Sequence, residues 1–563
     1  MEIFDLTRYW LFWLVIALPG LGGAVHALLN KREPASMAIW VVLCLVLPVL
    51  GVLLYAFLGV NRIHRRASKL MLRSQRGQGP GTISAPASSG GSASSGGPGG
   101  SADRLYHNDD GEDKIHYPQT GPALPPAPAG RRPLVLDGPH RPPPLPMEVP
   151  AALLPSKIRT MARIGYSVMG MPLLGGNRVK ALYNGNQAYP DMLEAINQAR
   201  ERIYLGTYIF DNDVIGKTFV LALARAKMRG VEVKVHLDGI GTLLTFPRID
   251  KLLKAQGVDV ARFIPPRLLP PQFSINMRNH RKLLLVDGKV GFTGGMNISS
   301  SHITDQPVPR RLRERLGQAG SNLSRLSLNL LKFSSDNSMQ DIHFRIEGPI
   351  LEDFQLIFAR EWQFSTGELL EPPPVSPEPK GPSLCRTILD GPDDFLERFH
   401  STILGAISAA RHTVRIMTPY FLPPRQLITA LQSAAMRGVQ VEIILPAVAD
   451  HPFVSWATNN VLWDFIDRGV HIHYQPGPFN HSKLLLIDGY YAHVGSANLD
   501  PRSLRLHFEL TTEIFDSRVC GELERHFDAI KARSREYTRA DLEARSLPGR
   551  LRDAFFWLFS PYM

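Results

Sequence analysis

One block of this 563-residue chain is written twice. Asn279-His280-Arg281-Lys282-Leu283-Leu284-Leu285-Val286-Asp287-Gly288 recurs about 200 residues later as Asn480-His481-Ser482-Lys483-Leu484-Leu485-Leu486-Ile487-Asp488-Gly489. Gly294-Gly295-Met296-Asn297 answers Gly495-Ser496-Ala497-Asn498 at the same offset, and Met228-Arg229-Gly230-Val231 answers Met436-Arg437-Gly438-Val439. Agreement in several ordered blocks means a duplicated domain, so whatever one copy folds into, the other folds into as well. Within the first copy the pattern alternates: helix over 188–200, strand over 202–210, helix over 215–229, strand over 231–237, and a short buried strand at 283–286. Alternating elements of this kind build a sheet covered by helices, an α/β sandwich in each half.

The repeated block also carries chemistry. On extended chain alternate side chains share a face, so His280 projects with Lys282 and His481 with Lys483. Two such faces brought together make one site with two imidazoles and two ammoniums. That set suits phosphodiester exchange. One neutral His attacks phosphorus, the other protonates the leaving alkoxide, and the lysines balance charge on the phosphoryl oxygens. The scheme requires no metal and no cofactor, and the sequence shows no carboxylate–histidine cluster at metal-ligand spacing.

His-x-Lys, four residues, Asp, six residues, then Gly-Gly/Ser-x-Asn resembles the signature of the phospholipase D superfamily, complete in both copies. The wider chain, apart from a low-complexity linker, resembles bacterial cardiolipin synthases. Tyr208-Ile209-Phe210 before Asp213, Thr418-Pro419-Tyr420-Phe421-Leu422-Pro423-Pro424 and Asn498-Leu499-Asp500-Pro501-Arg502-Ser503 carry that likeness. The resemblance implies His280 as nucleophile and His481 as general acid and then base, although the near-symmetry of the copies leaves the order open. It implies Lys282, Lys483, Asn297 and Asn498 as ligands of the phosphoryl oxygens. Asp341 and Glu509 stand at the positions of carboxylates that orient the rings. Asp287 and Asp488 complete the motif, and a structural salt bridge is the simpler reading for both. The implied reaction takes two phosphatidylglycerols to cardiolipin and glycerol through a phosphohistidine. Phospholipase D activity, or transfer to or from another lipid such as phosphatidylethanolamine, fits the same motifs.

Residues 9–29 and 38–60 are apolar runs separated by Asn30-Lys31-Arg32-Glu33-Pro34. Each reaches the roughly 20 residues that a spanning helix needs. Together they predict a two-helix transmembrane hairpin in residues 1–73. Arg62, Arg65, Arg66, Lys69 and Arg73 then place the catalytic body on the cytoplasmic side of a bacterial inner membrane. Residues 74–150, rich in Gly, Ser and Pro, read as a disordered tether. The two copies follow as 151–375 and 376–563, forming one pseudo-twofold body. Lys and Arg exceed Asp and Glu by 63 to 51, which favours anionic partners. A membrane-embedded chain makes that partner a phospholipid, phosphatidylglycerol, rather than nucleic acid. Between 307 and 340 arginines alternate with leucines, which reads equally as a membrane-surface segment or a solvated loop. The aromatic C-terminus, from Arg550 to Phe559, is too short to span. It either packs on the body or dips into an interface. The three scattered cysteines fit no disulfide framework.

Overall fold

The structure is a computed structural model and describes residues 17–29, 34–55, 154, 156–266, 277–304, 338–372, 375, 378–393 and 395–560. The tether at 74–150 and the basic stretch from Arg310 to Lys332 lie outside the described residues. The chain divides into two compact units, residues 1–71 and 72–563.

The smaller unit corrects the expectation of a transmembrane hairpin. Its described helices cover 17–29, Pro34–Val46 and Pro48–Leu54. The second apolar run is therefore cut at Leu47, because Pro48 has no amide to continue the helical ladder. Pieces of 13 and 7 residues reach about 20 and 10 Å, against a hydrocarbon layer of about 30 Å. Among the described residues no helix is long and apolar enough to cross a membrane. A multi-pass inner-membrane placement, a membrane-embedded chain and the sidedness drawn from the arginines fall with the hairpin. What the helices form instead is a small packed cluster. Ala24, Ala27, Cys44 and Tyr55 are buried against Trp40, Val41 and Val52, and His26 Nδ1 lies 2.9 Å from the Tyr55 hydroxyl.

In the larger unit the first repeat supplies β1 (Leu174–Tyr183), β2 (Arg202–Thr207), β3 (Glu232–Asp238), β4 (Asp259–Phe263), β5 (Leu283–Val286), β6 (Val290–Gly294), β7 (Met339–Gln340) and β8 (Ile342–Glu347). The second supplies β9 (Ser383–Asp390), β10 (Thr413–Met417), β11 (Gln440–Pro446), β12 (Val470–Gln475), β13 (Phe479–Asn480), β14 (Leu484–Ile487), β15 (Tyr491–Gly495), β16 (Glu509–Phe515) and β17 (Arg535–Tyr537). Fifteen of these strands form one mixed sheet, ordered β17-β12-β11-β10-β14-β15-β16-β9-β1-β8-β6-β5-β2-β3-β4. From the antiparallel β9–β1 pair outward, the wing β9-β16-β15-β14-β10-β11-β12 answers β1-β8-β6-β5-β2-β3-β4 strand for strand. The duplication in sequence is thus a pseudo-twofold in space.

Burial follows from the strand period. In β5, Leu284 and Val286 enter the core shared with helices Asn184–Gln198 and Val214–Met228. Leu283 and Leu285 point the other way, to the core that holds Phe354 and Phe358 of helix Leu351–Thr366. A strand covered on both faces needs no polar alternation, which is why both motif strands read as unbroken apolar runs.

Asp287 and Asp488 close these strands. Each sits at positive φ, 53° and 52°. Asp287 accepts backbone N–H bonds from Arg200, Glu201 and Arg202, each at 2.9 Å. Asp488 accepts from Arg411, His412 and Thr413 at 2.9, 2.7 and 2.9 Å. The brace is therefore a carboxylate on three amides rather than a salt bridge, and it ties the motif strand to the start of its neighbour. Asp287→Ala should lower stability by about 2–3 kcal/mol, since bonds to a charged acceptor are the stronger class. Asp287→Asn, which keeps one acceptor oxygen, should cost about half as much. Urea midpoints of the two variants check this, and an alanine variant with an unshifted midpoint contradicts it.

Candidate active site

His280 and Lys282 precede β5 rather than lying in it, and His481 and Lys483 likewise precede β14. Their extended backbone is pinned from the opposite repeat. Asn279 bridges to Phe508, and the His280 N–H donates to the Phe508 carbonyl at 2.9 Å. β13 pairs with β7, and the His481 N–H donates to the Gln340 carbonyl at 2.7 Å. Each histidine is thus carried by one copy and seated by the other.

The side chains repeat this exchange. His280 Nδ1 lies 3.1 Å from both carboxylate oxygens of Glu509, and His481 Nδ1 lies 2.8 Å from Asp341 Oδ2. With its Nδ1–H donated across the interface, His280 keeps a lone pair on Nε2, whereas His481 Nδ1 lies 2.8 Å from Lys483 Nζ as well as from Asp341. The lysine tails turn back on the same segments. Lys282 Nζ donates to the His280 carbonyl at 2.7 Å, and Lys483 Nζ donates to the His481 carbonyl.

The two glycine-containing segments are required by close approach. Gly294 and Gly495 take φ of 148° and 150°, and a Cβ on Gly295 would collide with the Asp341 carboxylate. The other repeat has Ser496 where the first has Gly295. Its hydroxyl donates to Glu509 Oε2 at 2.5 Å. Asn297 and Asn498 follow. Asn297 Oδ1 accepts from the Ile209 N–H at 3.2 Å, whereas Asn498 Oδ1 is buried without a partner.

Burial sets the electrostatics. It outweighs the Glu509 carboxylate and, with the Lys282 ammonium, brings His280 down to about 4. Burial, then Lys483, Lys282 and His280, hold His481 well below the usual imidazole value. Lys282 falls to about 7, lowered by burial and by Lys483 against the pull of Glu509. Lys483 falls to about 8 through burial, against Asp341 and Glu509. These mutual effects put the four groups within electrostatic reach of one another. Glu509 stays ionised, because His280 and His507 outweigh its burial penalty.

Asp287 and Asp488, by contrast, are not brought to the imidazoles; they stand at the far ends of their strands. Several neighbours had no role assigned to them from the sequence. Tyr208 meets the His280 ring edge-on at 5.1 Å, and Tyr420 meets His481 at 6.3 Å. His302, fully buried, accepts from the Asn297 N–H at 3.3 Å. His507 lies 5.5 Å from the His280 ring and 3.7 Å from Glu509 Oε1. Ser496 stands out in the sequence as the place where the two copies differ. Among the described residues, His280, His507 and Glu509 alone offer metal-ligand spacing, their donor atoms within 4.8 Å of one another. The Glu509 oxygens already serve His280 and Ser496, and an ammonium stands beside them. That donor set fits a hydrogen-bonded dyad better than a cation site.

The chain is similar to known proteins. Residues 192–306 and 403–531 match the family profile "Cardiolipin synthase, PLD-like domain", and residues 21–59 match "Phospholipase_D-nuclease N-terminal". A cardiolipin synthase A of Pseudomonas putida strain W619 is 33% identical over 387 residues, covering 68% of this chain and 74% of the relative. A probable cardiolipin synthase of Bacillus subtilis is 29% identical over 392 residues, 68% of this chain and 72% of that one.

The chain belongs to the cardiolipin synthase family of the phospholipase D superfamily.

As a family member it is a phosphatidyltransferase of the phospholipase D type, and its general chemistry is phosphatidyl transfer. The fold has a solved counterpart in phosphatidylserine synthase of Haemophilus influenzae. That enzyme is 14% identical with a TM-score of 0.51, and the match covers 72% of this chain and all of that one. In this fold each histidine is seated by a carboxylate of the other repeat.

Proposed function

We propose that this chain makes cardiolipin from two molecules of phosphatidylglycerol through a phosphohistidine. The observation that carries this reading is the exchange of carboxylates, which sets Glu509 on His280 and Asp341 on His481 across the two repeats. His280 Nε2 attacks phosphorus and the P–O bond to the headgroup glycerol breaks. His481, which takes up a proton on Nε2 as the anionic diester binds, gives that proton to the departing glycerol oxygen. A second phosphatidylglycerol then attacks through its headgroup hydroxyl, His481 takes that proton back, and the P–N bond breaks. Atoms balance without a redox partner. Lys282, Lys483, Asn297 and Asn498 hold the phosphoryl oxygens, and the substrate's negative charge offsets the burial and the ammoniums that hold the His481 pKa down. The repeats, 151–375 and 376–563, contribute one histidine each.

The test is direct. Purified protein given labelled phosphatidylglycerol alone should release cardiolipin and glycerol in equal amounts. Phosphatidic acid as the main product would instead make water the acceptor.

A pH profile follows from the lysines. His280 is neutral above about 4, so the nucleophile imposes no acid limb near neutrality. The ammoniums of Lys282 and Lys483 are present at low pH and are lost as pH rises through about 7 and 8. Because kcat/KM reports free enzyme, it should fall over that interval. A profile that stays flat to pH 9 contradicts the phosphate-binding role of the lysines.

A further inference from the structure

The helix Leu547–Trp557 is turned inside out. Its acidic residue, Asp553, is 0% exposed, paired with Arg545 and Arg552, while Leu551 and Phe555 on the same helix are 63% and 55% exposed. Leu547, Leu551, Phe555 and Leu558 recur at helical spacing and form one uncovered apolar stripe. The helix is held to the body by the Asp553 ion pairs and by Phe556, which leaves the stripe uncovered.

The stripe adjoins the cleft. Phe556 packs on Trp456 at 4.9 Å and joins the small cluster of Leu422, Val454 and Ala457 that also holds Tyr420. Tyr420 stands against His481 and donates its hydroxyl to Asp450 at 2.5 Å. The loop after β11, which contains Asp450, exposes Val448 and, at its end, Phe453. The other repeat does the same. The loop after β3 begins at Asp238, whose Oδ2 accepts from the Asn279 N–H at 2.9 Å, and it presses Gly241 against the Tyr208 carbonyl. That loop exposes Leu244 and, at 95%, Phe246. Corresponding loops of the two repeats therefore both present apolar side chains to solvent beside the tyrosines that flank the two imidazoles.

We propose that this apolar rim, together with the C-terminal stripe, seats the cleft on the surface of a phospholipid bilayer. A face resting in the headgroup layer uses no spanning helix. It needs exposed apolar side chains beside basic ones, and it gains from anionic lipid. Arg550 is exposed on the same helix, and the chain carries a formal net charge of +12. A bilayer occupant also accounts for apolar groups from three separate segments converging on one polar cleft, because both substrates of a phosphatidyl transfer enter from lipid. The inference takes from the proposed reaction only that its substrate is a lipid.

The test uses the full chain. Cys44, Cys385 and Cys520 are all buried, so a cysteine introduced as Phe246→Cys or Leu551→Cys takes a polarity-sensitive fluorophore selectively. Vesicles containing phosphatidylglycerol should shift the emission of both probes to the blue, and vesicles of phosphatidylcholine alone should do so less. Unchanged emission with vesicles that bring down the protein overturns the proposal. A blue shift that grows with protein concentration without lipid overturns it too, giving the face to a second copy. In parallel, Leu551→Glu with Phe555→Glu should cut turnover of vesicle phosphatidylglycerol about tenfold. Turnover of a monomeric short-chain phosphatidylglycerol should stay unchanged, which also shows that the variant is folded. Equal loss on both substrates counts against the proposal. A wild-type protein that turns over no lipid would count against the reaction and leave the fluorescence result standing.

Discussion

Replacing His280 with alanine should lower phosphatidyl transfer by at least about 10⁴-fold while the protein stays folded. The size follows from what the ring supplies. Phosphorus in a diester is shielded by anionic oxygens, and a neutral nitrogen held beside it replaces one difficult displacement by two easier ones. His280 is suited to this because burial keeps it neutral down to about pH 4 and Glu509 holds its Nδ1 proton. The alanine variant leaves the Phe508 backbone bond to residue 280 intact, since that bond uses only the main chain. Its circular dichroism and thermal midpoint should therefore stay near those of the parent. Retention of even a tenth of the parent rate in the variant would contradict the assigned nucleophile.

The second large effect comes from across the interface. Glu509→Gln should reduce kcat by about 10²–10³-fold, although residue 509 belongs to the opposite repeat. An amide oriented with its NH₂ toward His280 Nδ1 forces the proton onto Nε2 and removes the lone pair that attacks. It also leaves the Ser496 hydroxyl, 2.5 Å from Oε2, with a weaker acceptor. Asp341→Asn should act in the same way on His481. The diagnostic is a fall in kcat with KM little changed, since neither carboxylate faces the lipid. A loss confined to KM would assign Glu509 and Asp341 to substrate binding.

How far the sequence foretold this structure depends on how local each signal was. The duplicated block carried the α/β halves, because its strands are short apolar runs set by covalent neighbours. The helix expected at 188–200 is found at Asn184–Gln198, and the strand at 283–286 is found there. What no local pattern could tell is who seats whom. Glu509 and Asp341 stood out by position, but that each serves the histidine of the other repeat follows only from β7 and β13 meeting across the interface. Tyr208 and Tyr420 stood in segments that carried the family likeness, but that they flank the imidazoles was not legible, because each meets a ring distant in the chain. The hairpin failed differently. Apolar run length was a fair guide to burial preference, but Pro48 breaks the second run, and counting apolar residues overlooked that interruption. The C-terminus left two readings open. The helix packs on the body through Asp553 and Phe556 and leaves Leu547, Leu551 and Phe555 uncovered.

The central claim is a covalent step at one histidine completed by the other, and an adduct measurement tests it most directly. His481→Ala protein, given labelled phosphatidylglycerol and quenched in base to spare a phosphorus–nitrogen bond, should carry the phosphatidyl mass on the peptide that holds His280. An adduct on any other residue, or none in a protein that still forms cardiolipin at the parent rate, would contradict the account.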